Sequence, residues 1–472
     1  MTRVSWAIFS AAEGAGGRAA RAVGGMARGA LPRSQPAMAR HNYRRELVSV
    51  ALLSPATACV EGGVVGVIAS KAFGASDLVV AVLTAAPAVS NLTAVLWTRL
   101  IHGRDRVRAV NAFQLLTLAC VGAMALAPEG ETGLWVLVVS AVLARCFLTG
   151  MISARTDLWR GNYRRERRAR TIGSITLLAS LVVGVTALLT GAVMDADPRA
   201  FAVVYGVSVL TGAAGVWAFT TIRWRGRATQ LKAERDGVDG GARGEKHARS
   251  GGASLKSMAD VLKNDPMYRR FMAAQFMLGM PQLAAIPVFI LAMNDLFTLD
   301  YTQSLVLSQT LPVIIPVIVI PLWAPLLDRM HIVRFRSLHS WFFVAANLLM
   351  FAACLSRSET LLYASRVVLG IATGGGMLAW ELGHHDFARR EQASIYMGVH
   401  VFLTGVRGVF SPFIGTALYA GFALTVGGAS IGLPAVGAWT FLVLTAMSVA
   451  SAFMFRSLDL AMKRRAAGTA SS

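Results

Sequence analysis

Long apolar segments divide this chain and constrain its fold more than any other feature. Each could cross about 30 Å of hydrocarbon at about 1.5 Å per helical residue. Because backbone amides in lipid must be satisfied within a segment, such runs form helices, whereas a β-barrel would show short alternating strands. We therefore predict an all-α membrane protein with twelve transmembrane spans, at residues 46–70, 77–98, 109–127, 133–153, 172–194, 200–222, 269–294, 302–327, 338–355, 360–382, 394–421 and 433–455.

The placement of basic residues orients these spans. The formal net charge is +21, but nearly all of the 46 Lys and Arg residues lie in the tails and in alternate loops. The other loops contain only Lys71, Arg199 and Arg357. Because Lys and Arg resist translocation, the basic loops are expected to be cytoplasmic. This predicts a multi-pass inner-membrane protein with both termini in the cytoplasm, and it explains the charge without a nucleic-acid partner.

Polar segments frame two groups of six spans. We expect a disordered basic tail at residues 1–42 and a second cytoplasmic tail at 457–472. Residues 223–265 are charged, Gly-rich and poor in large apolar side chains, which is typical of a flexible linker. This linker separates an N-terminal half at residues 43–222 from a C-terminal half at 266–456.

The two halves share short sequence motifs at nearly one offset. The matches are Tyr43-Arg44-Arg45 with Tyr268-Arg269-Arg270 at 225, Leu96-Trp97 with Leu322-Trp323 at 226, and Asn162-Tyr163 with Asp386-Phe387 at 224. Since six spans is an even number, both copies insert with the same orientation. The sequence therefore predicts parallel repeats related by an axis along the membrane normal.

This layout resembles the major facilitator superfamily over roughly residues 43–456. Residues 324–329 are similar to the family's G-x-x-x-D-R motif, whereas in the first half His102 replaces the expected Asp and Asp105 follows three residues later. Residues 366–370 resemble the family's Arg-x-x-x-Gly pattern, and residues 411–415 its Gly-Pro-x-x-Gly pattern. The resemblance implies alternating access, in which the halves rock around a midplane site for a small-molecule substrate, and it implies no cofactor.

Ionisable residues inside the spans are candidates for the transport pathway, namely Glu61, Arg145, Arg366 and Arg407. A charge in the bilayer costs roughly 2.5 to 3.5 kcal/mol on insertion scales, so it faces a cavity or a partner. The resemblance implies that spans 1, 4, 7 and 10 surround the cavity. Glu61 would then carry a proton or bind a cationic group, with the arginines as counter-charges; fixed helix–helix ion pairs are the alternative.

Different roles are expected for Arg407 and for a fifth pathway candidate, Gln282. For Arg407, a structural bond to nearby carbonyls is favoured over substrate contact. Gln282 follows Pro281, which would open the backbone of span 7, so its side chain is the amide expected to line a cavity. Interhelical hydrogen bonding is the alternative for Gln282.

Charged residues at the cytoplasmic ends of spans are candidates for a conformational latch: Asp105, Asp328, Arg329, Glu381, Asp386 and Arg389. Ion pairs between such ends can hold one conformation and release it in the other, while a solvated loop face is the alternative. His384 and His385 adjoin Asp386, but a metal site would need more ligands, so none is predicted.

Missing motifs argue against catalysis. The chain has no GxxxxGK[ST], GxSxG or HExxH pattern, and its four Cys residues form no CxxC pair. We therefore predict a monomeric secondary transporter rather than an enzyme, with a coupling proton or sodium ion left open. A sensor or scaffold with a transporter fold, and a membrane-embedded lipid-modifying enzyme, are the alternatives. Substrate and direction stay undetermined.

Overall fold

The computed structural model describes residues 36–235, 255–384, 386–388, 392–426 and 429–470. The helices in chain order are α1 (Ala37–Cys59), α2 (Gly62–Phe73), α3 (Asp77–Leu92), α4 (Ala94–Ile101), α5 (Arg106–Ala125), α6 (Glu131–Asn162), α7 (Arg165–Ala196), α8 (Phe201–Thr220), α9 (Arg227–Arg235), α10 (Leu255–Asn264), α11 (Pro266–Leu296), α12 (Tyr301–Asp328), α13 (Ile332–Ser356), α14 (Glu359–Leu382), α15 (Ala393–Ala420) and α16 (Thr440–Ala470). Strands β1 (Phe422–Val426) and β2 (Ala429–Leu433) form the one sheet in these ranges.

Ten of these helices are long and apolar enough to cross a membrane, and the number rises to twelve when two bent helix pairs each count as one span. We call α1–α2 span 1 and α3–α4 span 2; α5 to α8 are spans 3 to 6, and α11 to α16 are spans 7 to 12. The face that carries residues 37 and 470 is called the terminal face, and the opposite one the far face. The predicted all-α membrane fold is confirmed.

Spans 1 and 2 are interrupted, which the sequence did not predict. The axis of span 1 bends by 40° where α1 ends and α2 begins, and that of span 2 bends by 43° between α3 and α4. Glu61 occupies the first break with an extended backbone (φ −70°, ψ 136°) and precedes two glycines. Because glycine weakens a helix interior, the Gly62-Gly63 pair favours a break beside Glu61.

Helix packing follows the same plan in both halves. In the first half, span 1 packs on spans 5 and 6, span 3 on spans 4 and 6, and span 2 on span 4. In the second half, span 7 packs on spans 11 and 12, span 9 on spans 10 and 12, and span 8 on span 10. The motif repeat in the sequence therefore corresponds to a repeat in three-dimensional packing.

Polar segments that were expected to lack structure contain helices where the structure describes them. The predicted linker 223–265 contains α9 and α10, while residues 236–254 lie outside the described residues. The predicted tail at 1–42 lies mostly outside them too, although α1 already begins at Ala37. Span 12 continues to Ala470 through the predicted tail at 457–472, because that segment is rich in Ala, Leu, Lys and Arg, which favour helix.

The far-face connection between spans 11 and 12 contains an antiparallel hairpin. Phe422 pairs with Leu433, and the register continues to Val426 opposite Ala429. Gly421 precedes the hairpin with φ 75°, a backbone conformation that glycine adopts without strain.

Candidate functional site

Hydrogen bonds join the two halves near the far face. The Asp195 carboxylate, at the end of span 5, accepts from the backbone N–H groups of Tyr301 and Thr302 at 2.6 and 3.1 Å. These amides open span 8, so Asp195 caps that helix from the other half. Lys71 donates to the carbonyl oxygens of Leu299 and Asp300, the latter at 3.2 Å.

Glycines bring the halves close together along the same region. A Cβ on Gly191 of span 5 would lie 2.5 Å from the Thr302 Cα, and one on Gly63 would lie 2.8 Å from the Ser308 carbonyl oxygen. Ser308 Oγ in turn donates to the Gly63 carbonyl oxygen at 2.9 Å. Small residues permit this backbone approach between helices in a membrane.

Contacts between the halves differ toward the terminal face. Gly408 and Gly405 of span 11 approach Ala88 and Leu92 of span 2, and these contacts are apolar. Side-chain hydrogen bonds between the halves involve positions 63–71, 184–195 and 294–310. The halves are therefore joined by polar contacts in the far half of the bundle.

Two predicted pathway residues, Glu61 and Arg145, form an ion pair in the first half. Arg145 Nη1 donates to Glu61 Oε1 at 2.7 Å, and the two side chains are 18% and 31% exposed, respectively. The Glu61 carbonyl accepts from the Val64 and Val65 amides and so starts α2. The pair thus connects the break in span 1 to the middle of span 4.

Two further candidates, Arg366 and Gln282, line one cavity of about 40 Å³ in the second half. Arg366 Nε donates to the Leu307 carbonyl at 2.9 Å, and the guanidinium lies 3.9 Å from the centre of the Phe289 ring. Leu307 belongs to a π-helical segment, Val306–Thr310, a feature that often marks functional sites. Arg366 pairs with no carboxylate in the described ranges, and Gln282 Nε2 is buried there without a hydrogen-bond partner.

Arg407 does not line this cavity. Its Nη1 donates to the Gln275 carbonyl at 2.6 Å, and its Nη2 contacts Thr404 Oγ1 at 3.3 Å. The absence of a side chain at Gly279 leaves the space that the guanidinium occupies. Arg407 therefore bonds span 11 to span 7 through a backbone carbonyl, the kind of contact that the sequence favoured.

The latch candidates do not join the two halves where their side chains are described. Asp105 caps span 3 and pairs with Arg227 of α9 at 2.7 Å, while Asp386 accepts from the Ile332 amide at 2.7 Å. Asp328 and Arg329 are exposed. Glu381 is in the last turn of span 10, with its side chain outside the described part, and Arg389 lies outside the described residues altogether.

Sequence reasoning missed Glu46, which is 4% exposed on the terminal side of span 1. Its carboxylate accepts from Arg155 Nε at 3.0 Å, Trp159 Nε1 at 2.5 Å and the Tyr163 hydroxyl at 2.6 Å. Burial and the Glu46 charge raise the pKa of Tyr163, so its hydroxyl stays protonated and donates. Glu46 is the first residue of the predicted span 46–70, and an acid at the end of a span is expected to be exposed. The sequence therefore did not indicate that Glu46 is buried.

Arg336 was missed for a similar reason. It was expected in the loop before span 9 but is 2% exposed within that span, with Nη1 at 3.5 Å from His339 Nδ1. The i to i+3 spacing of Arg336 and His339 was the one available signal for a shared helix face.

Comparison with known proteins gives matches in structure only. No family model matches the sequence, and no curated protein matches it. The nucleoside transporter NupG is 12% identical with a TM-score of 0.64, covering 88% of this chain and 99% of that one. The partially occluded inward-open xylose transporter XylE from E. coli is 9% identical with a TM-score of 0.63, covering 89% and 98%.

A third match is the peptide transporter POT in complex with sulfate. It is 14% identical with a TM-score of 0.60, and the alignment covers 91% of this chain and 95% of the transporter. At such low identity these likenesses show a shared fold. They extend over nearly the whole of each transporter, so the fold is shared over nearly the whole length.

Proposed function

We propose that this chain, which has the major facilitator fold, is a secondary transporter that moves a small solute across the cytoplasmic membrane by alternating access. The structural matches are transporters of nucleosides, xylose and peptides rather than enzymes. The parallel packing of the two six-span halves supports the same mechanism, because each half can move as a body about a site between them.

The polar contacts between the halves carry this proposal. Polar bonds and glycine contacts hold the halves together in the far half of the bundle, around Asp195, Lys71 and Gly63. A protein that rocks between two states must break such contacts in one state and remake them in the other. The structure therefore corresponds to a state closed at the far face.

The charge distribution supports an orientation for this state. The described basic loops and the helix ends beside them, with Arg104, Arg164 and Arg334, lie on the terminal side, which under the positive-inside rule is the cytoplasmic side. The far face would then be external, and the state would be closed to the outside. On this basis the chain is an inner-membrane protein with cytoplasmic termini.

We assign ion coupling to the Glu61–Arg145 pair. Glu61 is partly exposed and accepts one side-chain hydrogen bond, so protonation would release Arg145 without disturbing other partners. The released Arg145 could bind an anionic substrate group or a backbone carbonyl. Because Glu61 also separates α1 from α2, its protonation would affect the bend in span 1.

The experiment is uptake into proteoliposomes under an imposed pH gradient, screening nucleosides, sugars and short peptides. The wild-type protein should accumulate one class of solute, and Glu61→Gln should exchange that solute without accumulating it. Glu129→Gln is the matched control, because Glu129 pairs with Arg199 on the surface, at 73% and 74% exposure. Unchanged accumulation by Glu61→Gln would contradict the coupling role, and failure of wild-type protein to move any solute would contradict transport.

A further inference from the structure

A cleft of about 510 Å³ opens on the terminal side of the first half, away from the candidate pathway. It lies between α4 of span 2, the start of span 3 and the linker helix α9. Its apolar wall contains Trp97, Leu100, Ala112, Phe113 and Leu116, and its polar rim contains Arg104, Asp105, Arg108 and Arg227. Neither the pathway nor the contacts between the halves use this cleft.

The cleft changes from cationic to apolar with depth. Arg108, Ala112 and Leu116 follow one another at four-residue spacing along span 3, and all three are exposed. Eight residues of helix place Leu116 about 12 Å deeper in the membrane than Arg108. Leu100, on the opposite wall, is 42% exposed. An occupant must therefore carry a polar end and an apolar body of at least this length.

The rim has an excess of positive charge. Among its lining residues, three arginines face one acid, Asp105. That carboxylate is already occupied by Arg227 at 2.7 Å and by the amides of Val107 and Arg108 at 2.9 and 3.1 Å. The side chains of Arg104 and Arg108 have no carboxylate partner in the described ranges, so the rim complements an anionic group.

Buried contacts preassemble the cleft by fixing α9 against the loop between spans 2 and 3. Glu234 accepts from the Gly103 amide and from Arg106 Nη2, both at 2.7 Å. Arg106 is 4% exposed and also pairs with Asp157 at 2.8 Å, while its guanidinium lies 5.7 Å from the centre of the Trp224 ring. These contacts position Arg227 and Leu231 on the third wall of the cleft.

We propose that this cleft binds an anionic phospholipid. Its phosphate contacts Arg104 and Arg108, and an acyl chain lies along Ala112 and Leu116. Basic pockets beside transmembrane helices recognise anionic headgroups in this way, at the face where anionic lipids are attracted to basic residues. A free phosphate would satisfy the arginines but leave the apolar wall uncovered. The lipid would touch span 2, span 3 and α9 together and so hold the linker helix on the first half.

Native mass spectrometry of the full chain with added phosphatidylglycerol or phosphatidylcholine tests this site. The number of phosphatidylglycerol molecules that the wild-type protein retains should exceed the number of phosphatidylcholine molecules by at least one. The double variant Arg104→Gln/Arg108→Gln should bind phosphatidylglycerol at least about ten-fold more weakly, because two cationic contacts are lost. The matched control is Arg270→Gln/Arg334→Gln, which removes two exposed arginines on the terminal side of the other half.

A second variant, Ala112→Trp, separates a lipid from a soluble anion. It fills the apolar part of the cleft and keeps every arginine, so it should also weaken phosphatidylglycerol binding several-fold. Inorganic phosphate in millimolar excess should not displace the lipid. Equal losses in the cleft and control double variants would overturn the proposal. Displacement by phosphate, combined with full binding by Ala112→Trp, would show a simple anion site and would overturn it as well.

Discussion

Two acids on span 1 have very different surroundings. Glu46 is almost fully buried and accepts from Arg155, Trp159 and Tyr163. Glu61 is about one-third exposed and accepts from the side chain of Arg145. Removing the charge of a buried carboxylate leaves its donors without a partner, whereas a partly exposed carboxylate with one partner can lose that contact at smaller cost.

The stability of Glu46→Gln and Glu61→Gln should therefore differ. Glu46→Gln leaves Arg155 buried without its counter-charge, and we expect a loss of roughly 3 to 5 kcal/mol in the free energy of unfolding. Glu61→Gln breaks a partly solvated pair and should cost about 1 kcal/mol. Thermal unfolding of both variants in one detergent measures the difference. A loss for Glu61→Gln as large as for Glu46→Gln would show that Glu61 is structural.

The amides lining the Arg366 cavity provide a second matched pair. Asn347 Nδ2 donates to Ser448 Oγ at 3.2 Å, whereas Gln282 Nε2 has no partner in the described ranges. Asn347→Ala should therefore destabilise the protein by about 1 to 2 kcal/mol, and Gln282→Ala by under about 0.5 kcal/mol. If Gln282 lines the pathway, Gln282→Ala should still slow solute uptake. A stable Gln282→Ala variant with wild-type uptake would remove Gln282 from the pathway.

At the scale of elements, the sequence predicted the features that depend on hydropathy and on the placement of charge. The spans, the six-and-six division and the parallel repeat follow from apolar length and recurring motifs. The breaks beside Glu61 and at Thr93 do not follow from these features. Hydropathy is averaged over a long window, whereas a break changes the backbone angles of only a few residues. The π-helical segment at Val306–Thr310 was missed for the same reason.

The linker helix α9 was missed because its stabilising contacts are distant in sequence. Its composition, RATQLKAER, is polar and by itself typical of an exposed linker. Glu234 reaches back 128 residues to Arg106 and 131 to Gly103. In contrast, the sequence did suggest Glu61 and Arg145 as partners, because their side chains carry opposite charges. It did not suggest the cavity that Arg366 and Gln282 share, because that cavity depends on packing that no short motif encodes.

Removing the Glu234 carboxylate should release α9 from the loop. Glu234→Gln leaves Arg106 with Asp157 and weakens the contact to the Gly103 amide. We expect amide hydrogen exchange in residues 227–235 to become at least about ten-fold faster, which corresponds to about 1.4 kcal/mol. Lys232→Gln on the same helix is the control, because Lys232 is exposed. Equal exchange in both variants would mean that other contacts hold α9.

At the scale of the whole molecule, transport requires the far face to open. Each half contributes to the far-face contacts: span 5 supplies Asp195 and Gly191, and span 8 supplies Thr302. The same region also contains a continuous apolar cluster from both halves, which includes Val64, Ile68, Ile290 and Leu305, so separation of the halves must repack part of this cluster. Such an interface is suited to a transition between two discrete arrangements.

A covalent link across the far face should stop this transition. Asn294 Nδ2 and Ser70 Oγ lie 2.5 Å apart in different halves, so cysteines at both positions should be joined in this state by a short bifunctional methanethiosulfonate reagent, whose bonds to cysteine are reducible. The four natural cysteines, Cys59, Cys120, Cys146 and Cys354, would first be replaced by serine or alanine. Cross-linked protein should lose at least about 90% of solute uptake, and reduction should restore it, because alternating access requires both faces to open in turn. The two single-cysteine variants control for the substitutions themselves. Full uptake by cross-linked protein would show that the halves need not separate at the far face, and would contradict a rocking mechanism for this chain.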